Sequence, residues 1–374
     1  MPDTADDGVL LVSDDADLLV AVRRAAARAG TDVVVAPDLS SARDEWAVAP
    51  LVLLGEDAAD QPVPGGRLDV LLVATRRPGP VVEALARETG WAVVPLPDEE
   101  VWLADRLAGL GLGKRDGRCV GVVGGRGGAG ASTLAAALAV TAAVAPAGVA
   151  AVEGRTGALL VDLDPMGGGA DLLLGLEDLP GLRWPDLAAV SGPLSGPALA
   201  GSLPTRGGVS VLSWDARDVE VGATATGFVL DAVRRTYALT VLDLPRPVAG
   251  AAALAAACDT VLLVVPAETR AVAAAGRVAV GLAPLVTDVR LVVRGPSPSR
   301  LTGPDVARLL GLPLAGWLRP DPRLASQVER GRVPGGSGRG ELATMCRRLL
   351  GALADPAAGA ATLPAPLATT GVSA

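Results

Sequence analysis

Short runs built almost wholly of Val, Leu, Ala and Gly recur along the chain, and most of them end in acidic or glycine-rich sequence. In residues 1–109 they are "GVLLVSDD", "TDVVVA", "LVLLGED", "DVLLVAT" and "WAVVPLP", with helix-like stretches such as "ADLLVAVRRAAARAG" and "PVVEALARETG" between them. Beyond residue 118 they are "CVGVVGG", "ALLVDLD", "YALTVLDLP", "CDTVLLVVP" and "VRLVVRGP". Runs this short and this apolar are buried strands, and their alternation with amphipathic helices predicts doubly wound, mostly parallel α/β sheets.

The 374 residues suffice for two such modules. "GLGLGKRDGR" is Gly-rich and charged and marks a linker at 110–118, between a front module at 1–109 and a second at 119–352. The Ala/Pro/Thr-rich stretch 353–374 reads as a disordered tail. Net charge is −8 but uneven: residues 1–109 hold 20 Asp/Glu against 9 Arg, and residues 300–348 hold 9 Arg against 4 Asp/Glu. That asymmetry points to separate modules with separate partners.

Absences exclude whole classes of chemistry. There is no histidine, which removes His triads, His metal sites and His general bases. Cys119, Cys258 and Cys346 form no CxxC pair and read as buried thiols of a reducing cytoplasm. With 2% aromatic residues, stacking platforms for single-stranded nucleic acid are not expected. "MPDTADDGVLLV" is acidic where a secretory signal is basic. The uncharged stretch 134–152 is interrupted by Pro146 and Gly148, so it reads as a buried helix and a turn rather than a membrane span. The chain is expected to be cytoplasmic.

The front module resembles a response-regulator receiver, a flavodoxin-like fold. Asp14 and Asp15 stand where that family keeps its acidic metal-binding pair, and Thr75 stands at the family's switch hydroxyl. Gly55, however, replaces the phosphate-accepting Asp, and Leu96 replaces the lysine. An acyl phosphate needs both, so the module is read as a degenerate receiver serving docking or dimerisation.

In the second module "CVGVVGG", "RGGAGAST" and "LAAALAVTAA" give the strand, loop and helix of a phosphate-binding loop. Its residues are Gly125, Arg126, Gly127, Gly128, Ala129, Gly130, Ala131, Ser132 and Thr133. Glycines let successive backbone N–H groups converge on phosphate oxygens at a helix N-terminus, and the Ser132 hydroxyl is placed to ligate Mg²⁺. "ALLVDLDPMGGG" delivers Asp162 and Asp164 to a strand end, and "YALTVLDLP" delivers Asp243. In a parallel sheet these strand ends share one edge with the loop.

These motifs resemble the ParA/MinD family of deviant Walker ATPases, whose loop reads KGGxGK[ST]. "LLVDLDP" looks like its switch I, "TVLDLP" like its Walker B with switch II, and "LLGLPLAGWLRPDPRLASQVERGRV" like its late Asp-Pro segment. The match covers nearly all of 119–350, and with the receiver-like front it narrows to CpaE/TadZ-like proteins. Nearest is the actinobacterial septum-site-determining (Ssd) or helicase/secretion-neighbourhood CpaE-like group. The resemblance implies ATP and Mg²⁺ as cofactors and a nucleotide-sandwich homodimer bridged by Arg126, at the signature-lysine position. It assigns the metal to Ser132, Asp162 and Asp243, and the attacking water to Asp164. It implies a partner in the division or Tad secretion machinery, and recruitment to a septum, pole or membrane face through that partner. The tail lacks a basic amphipathic helix, so no direct membrane anchor is expected. An iron–sulfur reductase is excluded, since no cysteine follows Asp164 or Asp243.

Position 131 departs from the family: alanine stands where the phosphate-loop lysine belongs. The chain's single lysine, Lys114, precedes the strand, roughly 20 Å from the loop at about 3.3 Å per residue. Arg126 is the one cation within the loop itself, and "VRLVVRGP" ends in Arg294 where the family has an adenine-side Asn. ATP binding is therefore expected with weak or no hydrolysis, in a MinD/CpaE-like spatial regulator. Two alternatives stand beside it: a pseudo-ATPase dimerisation scaffold, and a ParA-like nucleoid-binding partition protein. The acidic net charge argues against the last, as nucleic-acid binding is built on cationic surface.

Overall fold

The computed structural model describes residues 8–64, 70–75, 77–89, 91–111, 117–144, 155–190, 192, 194–246 and 252–354. Lys114, most of the linker, the turn at Pro146 and Gly148, and the tail beyond residue 354 lie outside them. The chain divides into two compact units. One contains residues 1–116 together with Trp184–Gly201 and Arg217–Thr236; the other contains Gly117–Arg183, Ser202–Ala216 and Tyr237–Ala374.

The first unit carries β1 (Val9–Val12), β2 (Val33–Ala36), β3 (Val52–Gly55), β4 (Val70–Thr75) and β5 (Ala92–Leu96). They pair in parallel in the order β2-β1-β3-β4-β5, the flavodoxin-like order. Successive residues of β1 serve opposite faces. Val9 and Leu11 pack with Leu18, Val22 and Leu103, while Leu10 and Val12 pack with Trp46, Val82 and Trp91. The helix Ala16–Ala29 begins where the Asp15 carboxylate accepts from the N–H groups of Asp17 and Leu18, and stops at Gly30 with φ 66. Asp15 is thus a helix cap.

The helix Ala223–Thr236, far along the sequence, also belongs to this unit. Phe228 is buried in the core beside Leu103 and Leu107. Asp231 lies 3.5 Å from the buried Arg106 and 2.7 Å from Arg235, whose guanidinium stands 5.5 Å from the Trp102 ring centre. The site that accepts phosphate in a receiver is closed. A side chain on Gly55 would collide with the Asp57 carboxylate and with Ser13. Asp57 accepts from the Ser13 hydroxyl at 2.8 Å and from the Asp14 N–H at 2.7 Å. Leu96, at the lysine position, is buried.

The second unit carries β6 (Arg118–Gly124), β7 (Thr156–Asp162), β8 (Thr205–Arg206), β9 (Val209–Leu212), β10 (Tyr237–Asp243), β11 (Thr260–Pro266), β12 (Val289–Arg294) and β13 (Leu314–Leu318). The order is β13-β12-β11-β6-β10-β7-β9-β8, parallel except for the pairing of β8 with β9. The helix Ala131–Val144 is apolar all round because it is covered all round, and every residue from Leu134 to Ala142 is buried. The helix Gly340–Ala354 contributes Leu342, Met345, Cys346 and Leu349 to the same core. Burial pushes the Cys346 thiol up to about 12, so it behaves as a small apolar group. All three cysteines are buried. Among the described residues no helix is long and apolar enough to cross a membrane.

Candidate nucleotide site

Strand register brings the motifs to one edge. Asp243 of β10 stands opposite Val122 of β6 and opposite Asp162 of β7, and Gly124, the last residue of β6, stands opposite Val264 of β11. The loop leaves β6 at this edge, its Gly125 N–H held by the Val264 carbonyl at 2.9 Å.

Each glycine of the loop has its own reason. A methyl on Gly125 would stand 2.7 Å from the Ala275 side chain, so the strand can approach the helix Thr269–Leu282 only as glycine. Gly128 and Gly130 have φ of +69 and +95, values that Cβ-bearing residues rarely adopt. A side chain on Gly127 or Gly128 would meet nothing within 4 Å, so this stretch of backbone faces open space. Ala129 is buried beneath the loop, and the Leu134 N–H bonds the Gly130 carbonyl at 3.0 Å as the helix begins. Ala131 and Thr133 are half-buried, and Ser132 is exposed.

The carboxylates divide the work. Asp162, only 2% exposed, accepts from the N–H groups of Asp164 at 3.1 Å and Ala170 at 3.0 Å, and from the Ser213 hydroxyl at 3.1 Å. The Trp214 indole N–H bonds its carbonyl at 3.1 Å. Burial pushes the Asp162 carboxyl above its ordinary range, against the pull of those donors. Its oxygens thus fasten the glycine-rich segment 163–170, leaving little lone-pair capacity for a metal. Asp164, half-buried, holds the Met166 N–H at 3.1 Å. Asp243 is pushed up to about 7 by burial, while the Ser132 hydroxyl pulls it down and the charges of Asp162 and Asp164 raise it again. Asp243 therefore senses Ser132 and both of the other carboxylates. Among the described residues no cluster of three Asp, Glu or Cys side chains is arranged to hold a metal by itself.

Both arginines near the loop have definite positions. Arg126 Nη2 lies 3.0 Å from each carboxylate oxygen of Glu268, and Nη1 donates to the Gly127 carbonyl at 3.1 Å. Arg294, at the end of β12, brings Nη1 to 3.0 Å from the place where a methyl on Gly130 would stand. A cavity of about 370 Å³ opens beside it, lined by Thr133, Arg294, Pro296, Arg319, Asp321 and Leu324 among others. Ser213, Trp214 and Glu268 are the residues that motif reading missed. Their one signal is position, Ser213 and Trp214 directly after the strand "VSVL" and Glu268 one intervening residue past "TVLLVVP".

Comparison with known proteins agrees with this geometry. Residues 12–118 match the family model described as the Rv3660c-like, CheY-like N-terminal domain. The second unit's fold is that of a ParA family ATPase from Chlorobium tepidum TLS, with a TM-score of 0.52 at 16% identity over 63% of this chain and 98% of that one. It is also that of the Pyrococcus furiosus cell division ATPase MinD, with a TM-score of 0.50 at 19% identity over 63% of this chain and 98% of that one. The class is therefore a CheY-like domain joined to a P-loop domain of ParA/MinD fold, mostly parallel in both sheets. Over 330 residues the chain is 42% identical to protein Rv3660c of Mycobacterium tuberculosis (strain ATCC 25618 / H37Rv), spanning 85% of this chain and 89% of that protein. The chain belongs to the Rv3660c-like family.

Proposed function

We propose that this chain is a spatial regulator of the ParA/MinD kind that takes ATP with Mg²⁺ in its second unit and splits it slowly or not at all. The observation that supports this best is the joint placement of Ser132 and Asp243 beside Asp162 and Asp164, on the strand edge that carries the glycine loop. The open backbone at Gly127 and Gly128, with the start of a 14-residue helix behind it, suits phosphate oxygens. Ser132 and Asp243 would hold the metal, which supplies positive charge to the phosphates and the carboxylates together. Asp162 fixes the loop that carries Asp164, and Asp164 orients water. Arg126 serves a homodimer once it leaves Glu268. The acidic front unit is the docking surface for a partner at the septum or in a Tad-type secretion system.

Ala131 favours a second reading, in which the nucleotide fold is kept only as a dimerisation scaffold. Isothermal titration of the whole chain with ATP and ADP, each with Mg²⁺, separates the two. Binding heat and a raised Tm with negligible turnover support the regulator. Melting unchanged in millimolar ATP·Mg²⁺ overturns it and leaves the scaffold.

A further inference from the structure

We propose that Arg294 supplies the phosphate-facing cation that position 131 lacks. The inference rests on the nucleotide reading above and adds to it the residue that makes binding electrostatically feasible.

The site has a charge deficit. Its loop offers N–H groups and a helix N-terminus, but Asp162, Asp164 and Asp243 stand on the same edge, and in their ionised forms they repel a polyphosphate. A phosphate loop ordinarily balances this with lysine, and here position 131 is alanine. Arg126 is no substitute as it stands, because Glu268 takes up its guanidinium with both carboxylate oxygens.

Arg294 arrives from another direction. It closes β12, two strands from β6, and its side chain returns over the loop until Nη1 reaches the free side of Gly130. It is half-buried, and no carboxylate among the described residues lies within ion-pair distance of it. Asp321 and Glu329 line the same cavity without pairing with it. A half-buried guanidinium left without a counter-charge is costly, and an arriving anion removes that cost. Gly130 answers to the same arrangement, since a Cβ there would meet the guanidinium at 3.0 Å and press it away from its position over the loop by a few tenths of an ångström. A guanidinium offers donors only, in a fork that matches two phosphate oxygens, so its natural ligand here is the polyphosphate of a nucleotide.

The test is calorimetric titration of the full-length chain and of Arg294→Gln and Arg294→Lys, with Mg²⁺ and four probes: ATP, ADP, inorganic tripolyphosphate and adenosine. For Arg294→Gln the expected result is at least a tenfold loss of ATP affinity, a smaller loss for ADP, and no change for adenosine, with tripolyphosphate weakened in parallel. Arg294→Lys, which keeps the charge but loses the fork, should bind ATP and tripolyphosphate more weakly than the parent with adenosine unchanged. It carries the test if the Gln variant fails to fold, since parental affinity for both phosphate probes would then overturn the proposal. Ala131→Lys placed on Arg294→Gln should restore ATP binding. If the parent binds ATP and Arg294→Gln binds it equally well, Arg294 is not the cation, while the nucleotide reading survives. If adenosine is weakened as much as ATP, the arginine serves the base and the proposal is wrong. If the parent binds none of the phosphate probes, the nucleotide reading itself fails and this inference falls with it.

Discussion

Arg126 and Glu268 form a two-pronged ion pair, with both carboxylate oxygens 3.0 Å from one guanidinium nitrogen. Glu268 stands at the N-cap position of the helix Thr269–Leu282, yet its side chain caps nothing, because Arg126 takes it. Under the proposed function the pair would withhold Arg126 from a dimer bridge. Glu268→Gln should release it. Light scattering with ATP·Mg²⁺ should then show more dimer than the parent does. Both side chains are more than a third exposed, at 37% and 43%, so the fold should lose no more than about 1 kcal/mol. Unchanged association would mean that Arg126 has no part in a bridge.

Ala131→Lys places in the loop the charge that the proposed nucleotide function would use. One preorganised contact of this kind contributes about 3 kcal/mol at comparable sites. ATP affinity should rise at least tenfold, and phosphate release should become measurable. Absence of both changes would indicate that the surrounding carboxylates are not arranged around a triphosphate.

Asp243 sets a pH dependence of stability. Its carboxyl lies at about 7 in the fold against an ordinary 3.8, so between those values the native state holds a proton that the unfolded chain has released. Stability contributed by this group is therefore full below about pH 4, falls as pH rises toward 7, and is constant above. The slope is at most about 1.4 kcal/mol per pH unit. Asp162, also raised, adds to the same trend. With chelator present, Asp243→Asn should melt higher than the parent at pH 8 and match it more closely at pH 4.5. Parallel melting curves for the two proteins across that range would contradict the assignment.

Ser213 donates to Asp162 at 3.1 Å in a buried setting and accepts from the Ala170 N–H at 3.0 Å. Ser213→Ala removes both bonds and leaves a buried N–H with one acceptor fewer. A loss of about 1–3 kcal/mol is expected by urea denaturation. Hydrogen exchange should rise first at residues 163–170, the segment this network fastens. Uniform change across the sheet would mean that the serine is merely packed there.

Gly55→Asp copies the receiver acceptor but does not recreate it. The new side chain would enter space held by the Asp57 carboxylate and Ser13. The variant should lose about 1–3 kcal/mol through crowding and like charge, and remain unlabelled by acetyl phosphate. Adding Asp57→Ala opens the space and should recover most of the stability. Full stability in the single variant would show that the closure is softer than these contacts indicate.

The strands were readable because each is a short apolar run covered on both faces, and β1, β6, β10, β11 and β12 stand where those runs predict. Asp162, Asp164 and Asp243 could be gathered on paper because parallel strands present their C-terminal ends together. Ser213, Trp214 and Glu268 could not, since a hydrogen bond across 51 positions, or an ion pair across 142, leaves no local pattern. Arg294 was visible as a strand-ending cation, but its return over Gly130 depends on a side-chain direction that spacing does not encode. Asp57 escaped for a related reason. It sits two residues past the expected acceptor, and the short helical turn Glu56–Ala58 brings it back over Gly55.

The helix that brings Phe228 and Asp231 into the first unit lies more than a hundred residues beyond that unit's last strand. A cut at the 110–118 linker therefore does not yield a self-sufficient front piece. It leaves Arg106 without its acidic neighbour and opens a hole where the only phenylalanine of the chain belongs. Trimming to the obvious boundary should give material that aggregates, whereas fusing residues 184–201 and 217–236 to it should rescue it. The chain therefore cannot shed one half and keep the other intact.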